Sequence, residues 1–148
     1  MQIAFREKYD IKIRKIADAM EYWDIVRKKW LLLNPEEWVR QIFIHHFIDV
    51  LEYPKGRIAI EKELKYGELS KRYDIVIYDE KMKPWLLVEC KQENVPINDN
   101  TLHQLLIYQK KLQAPYWLLT NGKDNIGFSF LNDKVERISS LPKYPFNK

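Results

Sequence analysis

The sequence predicts an α/β domain of the α+β kind, a central mixed β-sheet flanked by helices, and three observations lead to it. A well-capped amphipathic segment begins at Asn34, and three strand-like runs with turns between them follow. A second capped segment then leads into the wholly apolar run Tyr116-Trp117-Leu118-Leu119, which suits a strand covered on both faces.

With 148 residues and 46% hydrophobic content, the chain is long enough for one compact domain with a real core. An aromatic fraction of 14% with only four glycines is the composition of a folded chain. The expected division is an N-terminal extension over 1–33, a domain over 34–138 and a C-terminal tail over 139–148.

In the extension, Tyr9, Ile11 and Ile13 alternate as in a short strand, whereas Ile25 and Trp30 belong to a basic-aromatic stretch whose element type the pattern does not settle. From Asn34 the signals agree. Asn34 is an N-cap residue, Pro35 takes the first helical position and Glu36 and Glu37 fall in the first turn. The helix runs to about Val50, with Val39, Phe43, Phe47 and Val50 as its apolar stripe and Ile42 alongside. After the Pro54-Lys55-Gly56 turn come strands over Arg57 to Lys65, Lys71 to Tyr78 and Trp85 to Lys91, a meander. Asn98 to Asn100 cap a second helix whose stripe is Leu102, Leu105, Leu106 and Leu112, and Pro115 closes it. Beyond the apolar run and the Thr120-Asn121-Gly122 turn, a hairpin uses Ile126, Phe128 and Phe130, then Val135 and Ile138.

Charge and cysteine content narrow the function. A net charge of +4 and a pI near 9.0 favour polyanionic partners without requiring them. Cys90 is the only cysteine, so an intrachain disulfide is excluded and a reducing, cytoplasmic setting is expected. The charged N-terminus lacks the apolar core of a signal peptide, and no uncharged apolar run approaches the roughly 20 residues of a membrane span, so no membrane partner is expected.

Alternation in the strand ending at Lys91 places Leu87, Glu89 and Lys91 on one face and Leu86, Val88 and Cys90 on the other. The same period puts Asp74 with Val76 and Tyr78. If Tyr78 pairs with Trp85, Asp74 lies opposite Glu89, and two like charges about 5 Å apart at Cβ call for a cation between them. Mg²⁺ or Mn²⁺ answers that need, because a hard divalent ion takes one or two carboxylates plus water and leaves room for phosphate oxygens. Lys91 is then placed to orient or help deprotonate an attacking water. The competing reading is an ordinary Asp74–Lys91 ion pair with Glu89 in solvent.

On the second helix Gln104 and Tyr108 are four residues apart and share a face, either beside the strand ends or in solvent. Glu37, third in the first helix, suits a reciprocal cap, while Glu36 gains from the helix dipole; either can face the metal. Arg27-Lys28-Lys29 and Lys110-Lys111 are candidate phosphate contacts or solvated faces.

The runs Pro35-Glu36-Glu37-Trp38-Val39-Arg40-Gln41, Leu51-Glu52-Tyr53-Pro54-Lys55, Lys71-Arg72-Tyr73-Asp74-Ile75-Val76, Leu87-Val88-Glu89-Cys90-Lys91, Gln104-Leu105-Leu106-Ile107-Tyr108 and Leu119-Thr120-Asn121-Gly122 follow one another in that order. Together they resemble the N-terminal nuclease domain of type I restriction enzyme R subunits, in the PD-(D/E)XK superfamily. The resemblance runs from about residue 34 to 130 and implies a restriction-endonuclease-like core acting on DNA, with duplex DNA the expected substrate. It implies that Asp74 and Glu89 are the metal-binding acids, with Cys90 counted beside them as a ligand. Lys91 looks like the catalytic lysine, Gln104 with Tyr108 like the accessory Gln-x-x-x-Tyr motif and Glu37 like the helix-borne glutamate. One departure stands out: no Gly-x-x-x-x-Gly-Lys-Ser/Thr loop occurs in the chain, so it carries no motor of the R-subunit kind and either works free-standing or borrows a partner. Two other classes compete with the nuclease: a non-catalytic DNA-binding or scaffolding module of a restriction or repair assembly, and an α/β interaction domain with a satisfied surface ion pair.

Overall fold

The structure is a computed structural model, and it describes residues 3, 9–92, 94, 96–98, 100, 103 and 112–147. Three short strands come first, β1 (Ile13–Ile16), β2 (Ala19–Asp24) and β3 (Lys29–Leu32), forming an antiparallel sheet in that order. The strand signal at Tyr9 and Ile11 is displaced, because β1 opens only at Ile13; all four of its residues are exposed, so no buried face marks where it begins.

Helix α1 (Pro35–Asp49) starts where its caps place it, with Asn34 Oδ1 accepting the Glu37 N–H at 2.8 Å. Val39, Phe43 and Phe47 are buried as expected, but Val50 is 37% exposed, because the helix has already ended and Val50 is its C-cap. Arg40, Gln41, Ile44, His45 and His46 are buried too. The helix is covered on two sides: one faces the large sheet, and the other meets the N-terminal segment through Tyr22 to Glu37, Gln41 to Asp24 and Tyr9 to His46. That second cover blurs the amphipathic stripe.

The meander follows as β4 (Ile58–Tyr66), β5 (Leu69–Tyr78) and β6 (Pro84–Cys90), and then β7 (Tyr116–Thr120), β8 (Asn125–Leu131) and β9 (Lys134–Ile138). These strands form one sheet in sequence order, antiparallel throughout except where β6 and β7 run parallel. The sheet is therefore mixed. In the segment between β6 and β7, Asn100, His103 and Leu112 are helical, and the stripe positions Leu102, Leu105 and Leu106 lie outside the described residues.

Two apolar clusters sandwich the sheet. Phe43, Phe47, Ile75, Ile77, Leu86, Val88 and Cys90 meet on the α1 side, while Val76, Leu87, Ala114, Trp117 and Leu119 meet on the other. The tail joins the first cluster: Tyr144 donates its hydroxyl to the Tyr78 carbonyl at 2.8 Å, and Tyr53 donates to the Pro142 carbonyl at 2.6 Å.

Candidate active site

The pairing of β5 with β6 runs Ile77↔Leu86, Val76↔Leu87 and Ile75↔Val88 and stops there. At the turn end Tyr78 faces Pro84 rather than Trp85, because the register shifts between Ile77 and Tyr78. Below the shift the frame is the assumed one, and its next step would set Asp74 across from Glu89. Instead of continuing the ladder, the Cys90 N–H donates to Asp74 Oδ2 at 2.7 Å, and the Lys91 N–H donates to the Thr120 carbonyl at 2.8 Å. Thus β6 stays with β7 while parting from β5, and both acids sit at the fork.

The pleat of β5 also changes at Asp74. Tyr73 belongs to one apolar cluster and Ile75 to the other, although strict alternation would keep them on one face. On the neighbouring strand the pairs Ile60↔Ile75 and Lys62↔Tyr73 leave out Glu61, whose φ of +52° is left-handed. The placement of Asp74 with Val76 and Tyr78 is corrected accordingly: its Oδ1 accepts from Arg40 Nη2 at 3.0 Å, and Arg40 lies on α1, the helix covering the Ile75–Ile77 face.

Arg40 ties three acids together. Its Nη1 donates to Glu37 Oε1 at 2.7 Å and lies 3.5 Å from Glu61 Oε1, while Nη2 holds Asp74. Burial opposes its charge, but the carboxylates of Glu37, Asp74 and Glu61 outweigh burial and raise its pKa. Glu37 does not close a reciprocal cap; its carboxylate accepts from Arg40 and, at 2.7 Å, from the Tyr22 hydroxyl. Glu36 is exposed, so Glu37 is the helix acid that faces inward.

Glu89 is buried, only 7% exposed, which removes the reading in which it is solvated. Burial raises its pKa and the charge of Asp74 adds to the rise, against the pull of Lys71 and Lys91. Lys71 Nζ stands 2.6 Å from Glu89 Oε1, a short ion pair, and also 5.1 Å above the Tyr73 ring. The cation on Asp74 is Arg40 rather than Lys91. Sequence reasoning missed Arg40 and Lys71; both lie inside the quoted motif runs, and no local pattern says which acid each meets.

Cys90 meets Asp74 through its backbone N–H, while its thiol is fully buried in the α1-side cluster, where burial, aided by the charge of Asp74, raises its pKa well above the ordinary thiol value. Gln104 and Tyr108 lie outside the described residues. Among the described residues, no group of three or more His, Cys, Asp or Glu side chains forms a metal cluster. Asp74 and Glu89 are carboxylates, the donor type a hard divalent ion takes, and in this structure Asp74 is engaged by Arg40 and the Cys90 N–H and Glu89 by Lys71.

The family described as Type I restriction enzyme R protein N terminus matches residues 35–142. The chain belongs to this family. Its matched range opens at the first residue of α1, holding Glu37, Arg40, Asp74, Glu89 and Lys91 and leaving β1 to β3 outside. A solved fragment described as an HsdR subunit of a type I restriction enzyme from Vibrio vulnificus YJ016 is similar in fold, with a TM-score of 0.53 and 19% identity over 75% of this chain. The chain spans about a quarter of that fragment, 24% of its length. No curated protein sequence matches it.

Proposed function

We propose that this R-protein N-terminal domain is a metal-dependent nuclease that hydrolyses phosphodiester bonds of duplex DNA. The observation that carries the reading is the fork itself: Asp74 and Glu89 are the residues next to Ile75↔Val88, the pair at which the β5–β6 ladder ends, with Lys91 one step beyond Cys90. Mg²⁺ or Mn²⁺ would be held by Asp74, Glu89 and the backbone at Cys90. The bound ion supplies a Lewis acid and a water of lowered pKa.

The chain's residues do the remainder. Asp74 is oriented by Arg40 and by the Cys90 N–H, so its carboxylate is fixed before substrate arrives. Lys91 orients the attacking water or stabilises charge on the phosphate, with Glu37 assisting from α1, and Gln104 and Tyr108 are proposed as accessory residues. These 148 residues hold no nucleotide-binding loop of the motor type, so the activity proposed for them is phosphodiester hydrolysis without translocation. A cytoplasmic setting suits that assembly, and among the described residues no helix is long and apolar enough to cross a membrane.

A second reading, a DNA-binding or scaffolding module without turnover, is favoured by one observation: each acid already has its own cation, Arg40 on Asp74 and Lys71 on Glu89. Supercoiled plasmid incubated with the protein and Mn²⁺ or Mg²⁺, beside Lys91→Ala, separates the two. Metal-dependent nicking lost in the variant supports the nuclease; DNA binding without nicking under any metal supports the module.

A further inference from the structure

We propose that the N-terminal three-stranded sheet is a positioning element of this site, with Tyr22 and Arg27 fixing the carboxylate of Glu37 and, through Glu37 and Arg40, that of Asp74. The inference rests on the nuclease reading and adds to it a role for residues before the family's matched range.

The β2–β3 turn is built to present Arg27. Asp24, fully buried at the end of β2, accepts the backbone N–H groups of Val26 and Arg27 at 2.9 and 2.8 Å, and Arg27 Nε donates to its second oxygen at 2.8 Å. Gln41 on α1 donates to the same oxygen at 3.1 Å, which docks the turn on the helix one residue after Arg40. So held, Arg27 Nη2 donates to the Tyr22 hydroxyl at 2.8 Å and lies 3.5 Å from Glu37 Oε2, while Nη1 reaches Glu61 Oε2 at 3.4 Å.

Glu37 consequently sits between two guanidinium groups. One oxygen takes Tyr22 and Arg27 from the N-terminal sheet, and the other takes Arg40, whose remaining arm holds Asp74. A guanidinium is a rigid planar fork, so the spacing of Glu37 from Asp74 is set once Arg40 is seated, and Arg40 is seated by a Glu37 that cannot rotate. Buried ion networks add little net stability compared with apolar packing, and their better-attested use is to specify one geometry. Here four acids, Asp24, Glu37, Glu61 and Asp74, share two arginines, an arrangement that fixes side chains at the edge of the metal-binding pair.

The test uses the full chain with Tyr22→Phe, which keeps the ring, Glu37→Gln, and the double variant, each compared for Mn²⁺-dependent plasmid nicking, Mn²⁺ affinity by calorimetry and melting temperature. Tyr22→Phe is expected to slow nicking about three- to tenfold, the effect of one lost hydrogen bond, with Mn²⁺ affinity within about twofold. The double variant is expected to be no slower than Glu37→Gln alone, because the hydroxyl acts through that carboxylate. Arg27→Gln should slow nicking further and Arg27→Lys should recover part of the loss. Nicking by Tyr22→Phe and Arg27→Gln at the wild-type rate, or losses that simply add in the double variant and track melting temperature, would overturn the positioning role alone. A wild-type protein that nicks plasmid under neither Mn²⁺ nor Mg²⁺ would overturn the nuclease reading and this inference together.

Discussion

Asp74 Oδ2 accepts the backbone N–H of Cys90 at 2.7 Å, beyond the point where the β5–β6 ladder has ended at Ile75↔Val88. A side chain thus takes the place of a strand partner, and the acid is locked to the strand that carries Glu89. Asp74→Ala leaves that N–H without its acceptor and takes one carboxylate from Arg40, whereas Asp74→Asn keeps an acceptor of the same shape. Urea denaturation should show a loss of about 3 kcal/mol for the alanine variant, near the lower end for breaking a buried pair. The asparagine variant should lose about 1 kcal/mol. Equal losses would mean that the Cys90 bond contributes nothing to the hold.

Lys71 is the near cation on Glu89, at 2.6 Å, and Lys91 acts on it by charge alone. Removing a positive charge raises a carboxylate's pKa, so Lys71→Met should push the already raised Glu89 value higher than Lys91→Met does. Carbon-detected magnetic resonance titration of the Glu89 carboxyl reads this without requiring activity. An equal or larger shift from Lys91→Met would reverse the ranking.

His45 is buried, and burial lowers its pKa below the ordinary 6.5 despite the opposing pull of Asp49, Asp10 and Asp24. A depressed folded value means that the neutral ring is the one the fold accepts. The stability it contributes is complete above 6.5 and is lost as pH falls from there through the folded value. Melting temperatures at pH ~7.5 and ~5.5 should therefore fall further for the wild type than for His45→Gln. Parallel curves for the two proteins would assign the acid sensitivity elsewhere.

Gly122 has φ of +88°, and a Cβ built on it would meet Val39 Cγ2 at 3.1 Å. The turn after β7 is therefore shaped for glycine twice, by its backbone and by its closeness to α1. Gly122→Ala should cost about 1–2 kcal/mol from the left-handed backbone alone, with the tight contact adding to it. Thermal melting checks this, and an unchanged midpoint would show that the turn relaxes freely.

Much of the frame was legible along the chain. Asn34 and Pro35 announce α1, the meander and the β7 strand follow from period and turn residues, and the runs suggest the β5–β6 frame that holds from Ile75↔Val88 to Ile77↔Leu86. Such features depend on neighbours a few residues away, and periodicity reports them directly. The placement of Glu37 over Glu36, the break in pleat that turns Asp74 to Arg40, the pairing of Glu89 with Lys71 and the clamp from Tyr22 and Arg27 belong to the tertiary structure alone. Each joins residues from different elements, and charged side chains have no periodic pattern that names a distant partner. The start of β1 is misplaced toward Tyr9 for the related reason that the strand buries no face, so no buried stripe marks where it begins.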